Sequence, residues 1–219
     1  MKKNLNSIAI VFLFAIGLFS CSKSDTSTIV MVAPTPVTAT VKDLMADTVL
    51  GLDPKSGMPY SAGKYTFYSI ENNKIISNAD SASNKWDLAF ASTKILINGG
   101  TSGSGLGGAF IYKGLFDDLK TIPVDSNFNV DNSPASFAIT TGSGKGWYTY
   151  DGANNLITPI AGRVLVIKTA SGKYAKIEIL SYYKGGVTLS PSATDADKLT
   201  KQRYYTFRYT YQPNGTKTF

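Results

Sequence analysis

The chain contains no histidine and only one cysteine, Cys21, in 219 residues. Histidine is the commonest transition-metal ligand and the usual general base near neutral pH, so its absence removes much of metal-assisted and acid–base catalysis. A lone thiol forms no internal disulfide and builds no Cys-ligated zinc or iron–sulfur site. No serine or threonine can draw on an imidazole base, and a Ser–Lys dyad cannot be read from spacing. An enzyme is not expected. Charge is sparse as well: charged residues make up 17% of the chain, and its 22 Lys and Arg are scattered rather than gathered in a run. No nucleic-acid motif accompanies them, so the excess of Lys reads as a solvated surface. Helical periodicity is nearly missing, with room for one or two turns only at residues 115–120 and 193–201. There is no internal repeat.

What is present begins with an address. Lys2 and Lys3 precede an apolar run over residues 8–16, which closes in Leu18-Phe19-Ser20-Cys21. This reads as a secretory signal over residues 1–20, too short and wrongly flanked for a membrane span. A Cys directly after Leu-x-Ser resembles a bacterial lipobox, in which cleavage leaves the cysteine as a lipid-bearing N-terminus. Cys21 is therefore the expected lipidation site, and an ordinary signal with an incidental thiol is the alternative. Two or three acyl chains hold a protein stably to a membrane, and the domain beyond them is soluble. Removal of Lys2 and Lys3 takes the 22 basic residues to 20 against 15 acidic ones, a mature charge of +5. Residues 21–40, rich in Ser, Thr and Val with Pro34 and Pro36, read as a flexible tether. Residues 41–219 are then one domain by length.

That domain reads as all-β, mostly antiparallel sheets with minor helix. Trp86, Leu88 and Phe90 alternate with Asp87, Ala89 and Ala91, and Ile95-Leu96-Ile97 follows. Tyr65 and Phe67 alternate with Thr66 and Tyr68, and Trp147-Tyr148-Thr149-Tyr150 is a second aromatic run. The clearest hairpin joins residues 164–167 to residues 174–183 through Ala170-Ser171-Gly172, with Ala175, Ile177 and Ile179 on one face. A last strand sets Tyr205, Phe207, Tyr209 and Tyr211 against Tyr204, Thr206, Arg208 and Thr210.

Six of the ten residues from Gly99 to Gly108 are glycine. Such density marks positive φ or close backbone approach. Gly103, Gly105 and Gly108 match a dinucleotide fingerprint by letter, but a strand rather than a crossover helix follows at Ala109-Phe110. A strained loop is the better account. The thirteen Tyr read first as cross-strand packing, with a stacking platform as the alternative. Asp117, Asp118, Asp125 and Asp131 have the chemistry for a hard cation but lack EF-hand spacing.

Taken together, Trp86-Asp87-Leu88-Ala89, Asn98-Gly99 and the run from Ser102 through Gly103, Gly105, Gly107 and Gly108 to Phe110 resemble the core motif of the HmuY family, haem-binding lipoproteins of Bacteroidetes. The similarity continues through Val124-Asp125, Gly146-Trp147, Arg163-Val164, Gly172-Lys173-Tyr174 and the strand from Tyr205 to Tyr209, spanning most of residues 64–211. The resemblance implies a mostly antiparallel β fold that holds haem between long loops. It also implies a lipid-anchored protein of the outer membrane, on the cell surface or its periplasmic side, that takes haem from haem-carrying proteins and passes it to an outer-membrane receptor.

In that family, His or Met ligands flank the Gly-Trp strand. Here residues 132–146 and 150–154 contain neither, and Met31, Met45 and Met58 lie far upstream. Tyr148 or Tyr150 is then the candidate substitute donor to haem iron, Tyr150 first, with Lys145 as the basic neighbour a phenolate needs, while the strand alternation favours sheet packing for both rings. Phe137, Tyr148 and Tyr150 are expected to line an apolar cleft for the cofactor. The alternatives are a scaffold that has lost haem and holds a glycan, peptide or other planar ligand by stacking, in binding or adhesion, and a structural envelope lipoprotein.

Overall fold

The computed structural model describes residues 34–219, so the signal segment, Cys21 and Met31 lie outside the described residues. In chain order the strands are β1 (Val37–Met45), β2 (Gly51–Leu52), β3 (Pro59–Tyr60), β4 (Thr66–Ser69), β5 (Lys74–Ile76), β6 (Leu88–Ala91) and β7 (Lys94–Ile97). They continue with β8 (Gly108–Lys113), β9 (Tyr148–Asp151), β10 (Leu156–Pro159), β11 (Arg163–Lys168), β12 (Tyr174–Tyr183) and β13 (Gln202–Gln212). One helix, α1 (Asp195–Lys201), precedes β13 and is capped by Thr194, whose side chain accepts from the Asp197 N–H.

A five-stranded sheet runs β1-β13-β12-β11-β8 and a four-stranded sheet runs β5-β4-β6-β7, with all the strand pairings antiparallel. The all-β expectation holds. The two sheets close on a core to which β13 gives Tyr205, Phe207, Tyr209 and Tyr211 and β12 gives Ala175, Ile177 and Ile179. The four-stranded sheet answers with Tyr68, Leu88, Phe90 and Ile95. Aromatic rings cross the gap: Phe90 stacks on Phe207 at 5.7 Å between centroids, and Tyr68 meets Phe207 edge-on at 5.7 Å. Such pairs add about 0.5–1.5 kcal/mol each beyond their buried area.

The back of the large sheet is covered too. Val164 and Val166 pack there with Phe116, Leu119 and Ile122. Lys176, also buried on this side, donates from Nζ to the carbonyls of Phe116 and Leu119, each at 2.8 Å. Residues 115–120 form turns rather than a helix, and two of their carbonyls are taken by this lysine instead of by backbone N–H groups four residues on. Burial is the first cause pushing the Lys176 pKa down.

Two expectations need correction. The chain joins the large sheet at Val37, not at 41: Val37 pairs with Tyr211 and Thr40 with Arg208. Trp86 does not share a face with Leu88 and Phe90. It packs with Ala89 and Ile76 on the outer side of the small sheet, beside Phe67 at 4.9 Å. Regular alternation starts only at Leu88; residues 86 and 87 form a bend ahead of it, and the bend turns the indole over.

That bend is held by buried polar groups. Asn98 donates from Nδ2 to the carbonyls of Ser83 (2.9 Å) and Trp86 (2.8 Å), and its Oδ1 accepts from the Gly105 N–H at 2.9 Å. The glycine segment folds around this amide. A Cβ on Gly107 would stand 2.3 Å from the Asn98 carbonyl oxygen, and one on Gly103 would stand 2.0 Å from Asn98 Oδ1. The glycines are thus required by close backbone approach, as a strained loop demands. Asp131 closes the other side: its carboxylate accepts from the N–H groups of Ile97 (3.0 Å) and Ala138 (2.8 Å).

Candidate functional site

The first of the two segments that flank the Gly-Trp strand adjoins Thr101 in the glycine segment at residues 132 and 133. The second, the β9–β10 hairpin, lies at one end of the large sheet, where the Ile157 N–H donates to the Tyr183 phenol at 2.9 Å. The chain enters at the opposite end, where the Asn214 side chain donates to the Pro34 carbonyl at 3.3 Å. From there β1 runs the length of β13 to the Met45–Tyr204 pair. Beyond it the Ser92 N–H donates to the Ala46 carbonyl at 3.1 Å, and the Trp147 indole donates to Thr93 at 3.0 Å. Trp147 is buried against Tyr148, Tyr182 and Tyr205, with centroids 4.9 to 5.7 Å away. This aromatic cluster is the base from which β9 and β10 project.

Both segments are compact. Asn132 and Ser136 exchange backbone hydrogen bonds of 2.9 and 3.0 Å, and the Ser133 N–H donates to Thr101 Oγ1 at 2.7 Å. The turn after β9 is tied by Asp151, whose Oδ1 accepts from the N–H groups of Ala153 and Asn154 at 3.0 and 3.3 Å. Asn154 Nδ2 adds a third bond to Asp151 at 2.7 Å. The amide of Asn154 is the main cause holding the Asp151 carboxyl below its ordinary range.

Phe137, Tyr148 and Tyr150 are not brought together. Tyr148 belongs to the main core and is 8% exposed. Phe137 is half-buried with the Lys94 ammonium 4.7 Å above its ring. Tyr150 alone is open, at 48%, and its phenol donates to Asn155 Oδ1 at 2.9 Å. That partner is a neutral amide, not the ammonium of Lys145. Among the described residues no ring pairing joins the three, and no cluster of three His, Cys, Asp or Glu gathers that could hold a metal.

For haem the donor set gives a definite answer. Neither segment contains His or Met, and Met45 and Met58 stand outside both, on β1 and next to β3. The residues do not fit a haem held between two axial donors. Tyr150 offers a phenol from one side only. Asp131, read from the sequence as a possible cation ligand, instead uses its carboxylate to accept from the N–H groups of Ile97 and Ala138, a structural role that residue type alone does not reveal.

Fold and site together define a two-sheet antiparallel β protein with projecting hairpins and no assembled catalytic cluster among the described residues. The family model described as "HmuY protein" matches residues 61–194. The chain belongs to the HmuY family. Among solved structures it is similar to the apo HmuY analogue of Tannerella forsythia (15% identity, 83% of this chain and 98% of that one, TM-score 0.46). It is also similar to a Bacteroides vulgatus protein taken to be HmuY-like and haem-binding (14%, 80% and 90%, TM-score 0.45). A Bacteroides fragilis protein taken to be a lipoprotein gives 17%, 78% and 88%, with a TM-score of 0.46. No functionally curated protein matches.

Proposed function

We propose that this chain is a non-enzymatic, lipid-anchored outer-membrane protein that binds haem and passes it between haem-carrying proteins and an outer-membrane receptor. Family membership supports the haem-binding class. The observation that carries the reading within this chain is Tyr150. It is an exposed phenol on β9, in the position the family gives to a ligand segment, at the end of the sheet away from Pro34. Contact from one side through a single phenol is weaker than ligation by two axial donors, which suits a carrier that must release its cargo.

Titration of residues 22–219 with ferric and ferrous haem, followed by absorption, tests this. The expected result is a saturable spectral shift at one haem per chain that Tyr150→Phe weakens by about tenfold, the worth of one lost polar contact. A shift that survives Tyr150→Phe unchanged keeps haem and removes this residue. No saturable shift moves a glycan, peptide or other planar ligand to first place.

A further inference from the structure

Strand β1 is the outermost strand of the five-stranded sheet, and among the described residues nothing pairs with its other side. An open edge presents unpaired N–H and C=O groups, and native proteins guard it with charge, proline or a bulge. Here the guards stand only at the two ends. Pro36 has no N–H to give. After Val41 the register with β13 shifts, and Asp43 turns into the left-handed region at φ 53°. Between these limits Val37-Thr38-Ala39-Thr40-Val41 carries no charge, and each residue is exposed or half-exposed.

That stretch is the same in both directions. In an antiparallel pair of two copies centred on Ala39, Val37 of one faces Val41 of the other, and Thr38 faces Thr40. A shift by two residues would set part of the stretch against Pro36 or the bulge. A shift by one would turn the valine face of one copy to the threonine face of the other. Opposed threonines are favourable cross-strand partners on the outer face. On the inner face Val37 and Ala39 border an open cleft of about 570 Å³, which has room for the valine of an added strand. We propose that β1 is a self-recognition edge, along which two copies of this chain pair antiparallel over residues 37–41 and join their large sheets into one. A ladder this short is a small interface and makes a transient pair. The two N-terminal ends of β1 then point in opposite directions. This suits copies anchored in facing membranes and excludes neighbours that hold this end toward the same membrane.

The test uses residues 22–219, which contain no cysteine. Ala39→Cys sits on the symmetry axis of the pair and should give a disulfide-linked dimer under mild oxidation. Val37→Cys should not, because its two copies stand four positions apart along the ladder, roughly 14 Å, beyond the reach of a disulfide. In sedimentation, Thr38→Lys with Thr40→Lys sets like charges directly opposite each other and should weaken dimerisation by about tenfold. Thr38→Lys with Thr40→Glu sets opposite charges there and should restore it. Both positions are exposed, so the charge variants leave the core untouched. Equal disulfide yields from Ala39→Cys and Val37→Cys overturn the proposal. So does a chain that stays monomeric at about 1 mM, with or without the Lys and Glu pair, which would leave the edge to an extended segment of a different protein.

Discussion

Asn98 uses its buried side-chain amide to join the bend before β6 to the glycine segment, through three hydrogen bonds. Asn98→Ala strands two carbonyls and the Gly105 N–H in a site sealed from water. The expected loss is about 3 kcal/mol, read as a lower urea midpoint at unchanged slope. Asn98→Asp should be no better, because a carboxylate would then face the carbonyls of Ser83 and Trp86. Asp87 tests a different quantity. Its carboxylate accepts from the N–H groups of Ile70 at 2.8 Å and Ala170 at 2.9 Å, so it ties the small sheet to the β11–β12 turn. Burial raises its pKa, and the two backbone bonds oppose that rise without cancelling it. A folded-state pKa above the unfolded one means the folded protein holds more protons between the two values. The contribution of Asp87 is therefore full below the ordinary aspartate pKa and declines as pH rises through the raised one. Asp53 and Asp197, whose pKa values are lowered by local hydrogen bonds, act in the opposite sense. The diagnostic is the difference between wild type and Asp87→Asn: the stability gap should shift with pH across the acid range, and a constant gap would remove Asp87 as its source.

Elements were legible where one face meets a core over the whole strand. The alternation of Tyr205, Phe207, Tyr209 and Tyr211 specifies β13, and all four are buried. Strand β1 was not legible over residues 37–40, because Pro34, Pro36 and a run of Thr and Val have the composition of a linker. Pairing with β13 overrides composition there, and Thr38 Oγ1 meets Thr210 Oγ1 at 2.9 Å. A protein begun at residue 41 would lose these pairs and uncover Tyr209 and Tyr211. It should melt several degrees below one begun at residue 34, at roughly 2–4 °C per kcal/mol for a domain of this size. Equal melting temperatures would mean that the first half of β1 adds nothing. The same limit applies to the candidate site. Tyr148 and Tyr150 have the same parity on β9, yet one is core and the other half-exposed. Period 2 assigns a face but not how far along the strand the covering layer extends, and β9 outruns its cover. The Trp86 bend was illegible for a related reason: its direction is set by Asn98, twelve residues on.

At the scale of the whole molecule, the β9–β10 hairpin and the N-terminal end of β1 lie at opposite ends of the large sheet. A tether leading from a lipid at Cys21 to Pro34 would hold the second end toward the membrane and present the first outward. The scarcity of cysteine makes this measurable. If the thiol of Cys21 is acylated, a cysteine introduced elsewhere is the only free one in the chain. Ala153→Cys places it on the exposed β9–β10 turn, and Thr216→Cys places it near Asn214, also exposed and beside Pro34. On intact cells a membrane-impermeant maleimide polymer should label Ala153→Cys quickly and Thr216→Cys more slowly. Equal rates would remove the outward orientation. Labelling of both only after the outer membrane is permeabilised would place the protein on the periplasmic side, where cargo would have to cross the membrane before reaching Tyr150.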